Sequence, residues 1–112
     1  MQKCIHYIWL GGEKKPRIIE KCIKSWRKFF PDWEIKEWNE ANLDLDLCEF
    51  TRQAYDNKKY AFAADVFRFE VLYKYGGLYF DTDVKVIKPF DDIIQKCEAF
   101  VGYEYKMAAP GL

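Results

Sequence analysis

Two acidic side chains stand two residues apart at the end of an apolar stretch of the sequence. Asp81 and Asp83 follow residues 78–80, which carry no charge. Carboxylates this close repel each other, and apolar surroundings raise the cost of keeping both charged. A divalent cation relieves the repulsion, and hard oxygen ligands favour Mg²⁺ or Mn²⁺. The pair predicts a metal site, with a plain solvated turn as the alternative interpretation.

A second polar pair lies on the helix predicted over residues 61–75. Asp65 and Arg68 are three positions apart and therefore share a helix face. A carboxylate that accepts and a guanidinium that donates hydrogen bonds suit the recognition of hydroxyl groups. Gly76 and Gly77 join this helix to the strand that ends at the acidic pair, so we expect all four groups to line one cleft. An ordinary surface ion pair, worth only tenths of a kcal/mol, is the alternative.

Strands and helices alternate along the chain. Runs of strand-forming residues predict strands over 4–10, 78–80 and 99–105, and loose alternation of apolar and polar residues predicts one over 33–38. Helical periodicity predicts helices over 17–30 and 61–75. We expect a mixture of helical turns and loop over 43–60 and an extended segment over 84–87. This order predicts an α/β fold with helices covering a sheet. Ligands of such sheets bind beyond the carboxyl ends of strands, which is where the acidic pair falls.

Composition limits the class of protein. The 112 residues are 50% hydrophobic and 19% aromatic, which excludes a disordered chain and allows one domain or part of one. Eighteen basic and eighteen acidic residues give a formal net charge of zero, which argues against nucleic acid as a partner. We expect no transmembrane segment and a cytoplasmic location, with peripheral docking at the inner face of a membrane left open. The spacing of the four cysteines matches no metal-binding motif. We therefore expect reduced, mostly buried thiols, and a pair of disulfides is the alternative interpretation.

Other chemically active side chains are expected to have structural roles. His6 lies in an apolar run and reads as a buried histidine with satisfied hydrogen bonds. Three tryptophans are expected in core or surface packing: Trp26, Trp33 and Trp38. Four further aromatic residues are expected in the core: Tyr73, Tyr75, Tyr79 and Phe80. Four lysines read as solvated surface: Lys14, Lys15, Lys58 and Lys59.

Three segments in order carry a resemblance to a known family. They read IHYIWLGG from Ile5, ADVFR from Ala64 and LYKYGGLYFDTD from Leu72. Together they resemble the DXD-containing sugar transferases of glycosyltransferase family 32, over roughly residues 3–105. That family includes yeast-type initiating mannosyltransferases, bacterial capsular polysaccharide transferases and the glucosylating domains of large clostridial toxins.

The resemblance implies a fold and an activity. It implies the N-terminal part of a GT-A fold, Rossmann-like, with an incomplete sheet and covering helices. Residues 1–112 are then the N-terminal part of one catalytic domain whose C-terminal part is missing. The implied activity is retaining, metal-dependent transfer of a sugar from a nucleoside-diphosphate donor to a glycan or polysaccharide acceptor, as in capsule synthesis. A UDP-sugar is expected before GDP-mannose, with Mn²⁺ or Mg²⁺ as the cofactor.

The resemblance also implies roles for four polar residues. Asp83 would ligate the metal, and Asp81 would contact the ribose and donor sugar and reach the metal indirectly. Asp65 and Arg68 would hold the hydroxyls of the transferred sugar. On this basis Asp81, Asp83 and Arg68 are the expected catalytic residues.

The same resemblance places the donor base on Trp9, with Ile8 beside it. A base stacked on an aromatic ring gains about 1–3 kcal/mol of binding. Trp9 as a plain core residue is the alternative interpretation.

Two other functions stay open on the sequence alone. A DxD phosphatase would use Asp81 as nucleophile, but Lys85 stands where such enzymes need a small residue. A non-catalytic module for sugar-nucleotide binding or assembly is the other. An incomplete sheet exposes an edge strand, so we also expect the chain to form homo-oligomers.

Overall fold

The structure, a computed structural model, describes residues 2–87 of the chain. The predicted strand 99–105 and Cys97 lie outside the described residues. The elements, in chain order, are β1 (Cys4–Ile8), α1 (Arg17–Phe29), β2 (Glu34–Trp38), α2 (Glu49–Asp56), α3 (Tyr60–Tyr75) and β3 (Leu78–Tyr79). The three strands form one parallel sheet in the order β2-β1-β3. The predicted α/β fold is confirmed, and this arrangement is consistent with part of a GT-A-like fold.

Most boundaries agree with the predicted ones within one residue, and the larger differences are at the end of β1 and at residues 84–87. β1 ends at Ile8, two residues before the predicted end, although the Trp9 amide still donates to the Trp38 carbonyl. The mixed segment 43–60 contains the short helix α2. Residues 84–87 form only an isolated bridge at Lys85. Alternation of apolar residues indicates extended backbone but not whether a partner strand lies alongside.

The core lies on both faces of β1, all five residues of which are buried. This burial explains why β1 reads as a continuous apolar run, because a central parallel strand is covered on both sides. One cluster packs Trp26 of α1 edge-to-face against Tyr7 and Phe80, with ring centroids 5.5 and 5.3 Å apart. The other packs Phe67 of α3 among the buried residues of β1 and β2.

Two glycines make the turn from α3 into β3. Gly76 has φ +67° and ψ −161°, a region essentially restricted to glycine. Gly77 has φ +87°, and a Cβ there would overlap the carbonyl oxygen of Cys4 in β1. These two residues therefore let the chain reverse and lie directly against the central strand.

His6 has the structural role that the sequence predicts. Its Nδ1 accepts a hydrogen bond from Trp38 Nε1 at 3.0 Å, so its Nε2 carries the proton and donates to the Gly76 carbonyl at 2.8 Å. Burial lowers the pKa of His6, against the raising effect of the Gly76 hydrogen bond. The histidine is thus a neutral bridge from β1 to β2 and to the glycine turn.

Several residues expected to be buried or merely solvated are not. Tyr73 and Tyr75 are 90% and 49% exposed, so their assignment to the core is wrong. The physical reason is that apolar residues are spread around the whole circumference of α3, between its charged ones, so its sequence does not mark one buried face. Lys15, expected to be plain surface, pairs with Glu37.

The cysteines largely follow the prediction. The three described ones are free thiols, and Cys4 and Cys22 are buried, but Cys48 is exposed. Within residues 2–87 no helix is long and apolar enough to cross a membrane.

Candidate active site

A cleft of about 740 Å³ opens at the carboxyl ends of β1 and β3. Its walls come from residues 8–11 after β1, from the first turns of α3 and from residues that follow β3. The parallel sheet causes this arrangement, because its strands all end at the same edge. Of the residues predicted for the site, the cleft brings together Ile8, Trp9, Asp65, Asp81 and Asp83.

The acidic pair lies in a hydrogen-bonded turn that also forms a wall of the cleft. The Val84 amide donates to the Asp81 carbonyl at 3.0 Å, which closes the turn. Asp81 is half-buried and Asp83 is exposed. The turn interpretation and the site interpretation are therefore compatible, since both carboxylates line the cleft.

Helix α1 holds this turn from the side of the core. The indole nitrogen of Trp26 donates to the Val84 carbonyl at 2.8 Å. The hydroxyl of Ser25 accepts from the Val86 amide at 2.9 Å. The backbone after the acidic pair is thus fixed by two buried side chains of α1.

The oxygen ligands at this turn suit a hard divalent cation, but they are few. In the described part of the chain, no group of three or more Asp, Glu, His or Cys residues is close enough together to hold a metal ion. Asp81 and Asp83 supply carboxylates, and Mg²⁺-type ions commonly take one or two of these and fill their other positions with water and phosphate oxygens. The residues therefore fit a cation that is shared with a phosphate ligand.

The second predicted pair is formed as expected on α3. Arg68 Nη2 lies 3.5 Å from Asp65 Oδ1, with the arginine side chain 27% exposed and the aspartate 55%. Asp65 lines the cleft, whereas Arg68, one turn further along the helix, is not among the described residues that line it. Arg68 also lies over the ring of Phe69, 5.4 Å from its centroid. Arg68 therefore reaches the cleft through its contact with Asp65.

Tyr79 is the residue that the sequence analysis assigned to the core and the structure places in the cleft. Burial raises its pKa, the charges of Asp81 and Asp65 add to this, and Arg68 opposes them. Three of the four predicted polar residues, Asp65, Arg68 and Asp81, therefore lie near the Tyr79 hydroxyl. The alternation of side chains along the strand could have revealed that Tyr79 faces the cleft, because its buried neighbours Leu78 and Phe80 must point to the opposite side.

Trp9 is half-buried at the opposite wall of the cleft. Its indole nitrogen donates to the Glu13 carbonyl at 2.8 Å, so the face of its ring is what it can offer to a ligand. The ammonium of Lys15 lies 5.8 Å from the ring centroid. Ile8 is 6% exposed and forms part of the core beneath.

The charged residues that line the cleft, among those described, are all acids. They are Glu13, Asp65, Asp81 and Asp83. Glu13 was missed by the sequence analysis because nothing near it in the sequence marks it as part of this surface. Such a cleft repels anionic ligands unless a cation accompanies them.

Known proteins share this sequence pattern. Residues 16–100 match a family described as the glycosyltransferase sugar-binding region containing a DXD motif. Inositol phosphoceramide mannosyltransferase 3 of Schizosaccharomyces pombe is 35% identical over 100 residues, covering 82% of this chain and 27% of that protein. Inositol phosphoceramide mannosyltransferase 1 of the same organism is 28% identical over 105 residues, covering 84% of this chain and 31% of that protein.

The chain therefore spans about a third or less of the length of these curated relatives. The family match covers the acidic turn, α3 and the glycine turn between them. It confirms the resemblance drawn from the motifs and favours a transferase over a phosphatase. The chain belongs to the glycosyltransferase family whose sugar-binding region contains a DXD motif.

Proposed function

We propose that the cleft binds a nucleoside-diphosphate sugar together with a divalent cation, as the donor site of a retaining sugar transferase. The observation that carries this proposal is the exclusively acidic set of charged residues that the described part of the cleft presents. Like charges 4 Å apart repel by about 1 kcal/mol even in bulk water, and by more near a protein surface. A diphosphate therefore needs a cation to enter, and Asp81 and Asp83 are the residues that would hold Mn²⁺ or Mg²⁺.

The bound cation would neutralise the charge that develops on the leaving diphosphate. The chain's own residues orient the donor. Asp65 accepts hydrogen bonds from sugar hydroxyls, and Arg68 orients that carboxylate through their ion pair. The Tyr79 hydroxyl lies near Asp81 in the cleft and is a further donor for the oxygens of a bound ligand. Attack of the acceptor on the face that the diphosphate leaves retains the anomeric configuration.

The donor base stacks on the face of Trp9, because the indole N–H is already committed to Glu13. Both relatives are named mannosyltransferases, which favours GDP-mannose as the donor over the UDP-sugars that the sequence analysis ranked first. The acceptor is proposed to be a glycan or another hydroxyl-rich head group. The relatives' names point to inositol phosphoceramide, and a capsular polysaccharide stays a prediction from the resemblance alone.

Calorimetry with this chain tests the donor site. GDP-mannose and UDP-sugars are titrated with Mn²⁺ or with EDTA, and guanosine and uridine serve as uncharged ligands. We expect diphosphate binding to require Mn²⁺ and nucleoside binding to be independent of it. Asp83→Asn keeps the side-chain volume, removes the charge, and should weaken Mn²⁺-dependent binding at least about tenfold, because hydrogen bonds and contacts to charged groups contribute 1.5–3 kcal/mol.

Asp44→Asn is the matched control, since Asp44 is exposed and lies outside the cleft. Equal nucleotide affinity with Mn²⁺ and with EDTA would contradict the proposal. A mannose-transfer assay on the same samples separates an active transferase from the non-catalytic binding module, which would bind the donor and leave it intact.

A further inference from the structure

The loop between β1 and α1, residues 9–16, is fastened to the end of β2 at two points. The Gly11 amide donates to Glu40 Oε2 at 2.6 Å. Lys15 pairs with Glu37, the carboxylate that also accepts from the Tyr7 hydroxyl. This β1–α1 loop forms the wall of the cleft that contains Trp9. Two acids of β2 and the residues after it therefore hold a cleft wall from behind.

Glu40 extends this fastening to the helices. The same oxygen, Oε2, accepts from the Tyr55 hydroxyl of α2 at 2.9 Å. The ring of Tyr55 lies 5.5 Å from that of Tyr60, which starts α3. Tyr60 in turn packs on Gly11, where a Cβ would come within 2.7 Å of the ring. One carboxylate oxygen thus links the β1–α1 loop to α2 and to the tyrosine pair at the start of α3.

Trp9 depends on the conformation of this loop. Its indole N–H donates to the carbonyl of Glu13, the residue directly after Gly11 and Gly12. Gly11 has φ +100°, so the loop adopts a path that few residues can follow. If the Gly11 amide loses its acceptor, the loop can shift and the Glu13 carbonyl moves with it.

We infer that Glu40 is a positioning residue for the donor base: it holds the β1–α1 loop so that Trp9 presents its ring face to the cleft. The inference rests on the proposed donor site. Glu40 itself is not among the described residues that line the cleft, so it acts through Gly11. Burial raises the pKa of Glu40, but the hydrogen bonds from Gly11 and Tyr55 outweigh it and lower the pKa overall, as expected of a carboxylate fixed in place.

The shared oxygen allows a sharp pair of variants. In Glu40→Gln the amide oxygen can accept both hydrogen bonds, so the geometry is kept and only the charge is lost. In Glu40→Ala both bonds are lost. Glu34→Ala, an exposed acid at the start of β2, is the matched control.

The full chain is labelled with 5-fluorotryptophan, and the Trp9 signal is assigned with Trp9→Phe. We expect the ¹⁹F resonance of Trp9 to shift and broaden in Glu40→Ala and to return in Glu40→Gln. With Mn²⁺ present, the Kd for GDP-mannose should rise about 5–10-fold in Glu40→Ala and stay within about twofold in Glu40→Gln, as the loss of one or two ordinary hydrogen bonds would predict. Mn²⁺ affinity, read by electron paramagnetic resonance, should not change.

Tyr55→Phe removes the hydrogen bond from Tyr55 to Glu40 and serves as the test if Glu40→Ala does not fold. It should shift the Trp9 ¹⁹F resonance in the same direction as Glu40→Ala but by less. An unmoved Trp9 resonance in the folded variants, or a Glu40→Gln variant as disturbed as Glu40→Ala, overturns the inference. If the wild-type chain binds no nucleotide sugar, the proposed donor site fails, while the ¹⁹F shifts of the ligand-free proteins still judge the role of Glu40.

Discussion

Replacement of Gly77 by alanine tests the tight contact between the glycine turn and the central strand. Gly77 has φ +87°, and a Cβ there would overlap the backbone carbonyl of Cys4. Positive φ costs a residue with a Cβ about 1–2 kcal/mol. Overlap with backbone that cannot rotate away adds about 1–3 kcal/mol. We therefore expect Gly77→Ala to lower the free energy of unfolding by about 2–5 kcal/mol in all.

Gly12→Ala is the control that isolates the overlap. Gly12 has φ +72° and nothing within 4 Å of its Cβ position among the described residues, so it carries the backbone strain alone. Urea denaturation followed by circular dichroism measures both variants. With a slope of about 1–3 kcal/mol/M, the midpoint of Gly77→Ala should lie roughly 1 M below that of Gly12→Ala. Equal midpoints would refute the close approach of the turn to β1.

Three further outcomes follow from the hydrogen bonds and burial. Trp26→Phe leaves the Val84 carbonyl without its donor, whereas the buried Nε1 of Trp33 has no partner in the described structure. Denaturation should therefore show a free energy of unfolding about 1–3 kcal/mol lower for Trp26→Phe than for Trp33→Phe. Burial lowers the pKa of His6 in the folded chain, so the unfolded chain binds the proton at higher pH. The free energy of unfolding should therefore fall as the pH drops below about 6.5, and this pH dependence should be absent in His6→Gln. Cys48 should react with iodoacetamide in the native state well before Cys4 and Cys22, because it is exposed and they are buried. Mass spectrometry of the peptides measures this order, and earlier labelling of a buried cysteine would contradict the prediction.

The sequence predicted the parts of the site whose chemistry is local. The acidic pair, the helix with Asp65 and the glycine turn are adjacent in the chain, and their spacing carries over directly into the structure. Arg68 was placed on the correct helix face, but it is not among the described residues that line the cleft, and it pairs there with Asp65. Periodicity defines a shared face and not the distance a side chain must span.

Other features of the site depend on contacts between distant residues and were not predictable. Glu40 meets Gly11 from 29 positions away and Tyr55 from 15, and no local pattern marks such a link. Glu13 joins the acidic residues of the cleft because the β1–α1 loop forms one of the cleft walls. Tyr73 and Tyr75 were misjudged for a related reason: apolar residues are spread around α3, so the sequence does not show which of them face the sheet.

The way the acidic turn is supported bears on how the cleft could work. Its backbone is held from the core side by Trp26 and Ser25 of α1, so the hydrogen bonds that fix it do not consume the carboxylates. Within the cleft, the β1–α1 loop on the opposite wall is held from behind by the hydrogen bond from Gly11 to Glu40. A ligand then meets groups whose positions are already set, and the energy of ordering them is supplied by folding and not by binding. Variants of α1 should therefore weaken donor binding in proportion to their loss of stability, whereas Asp83→Asn should weaken it with stability nearly unchanged.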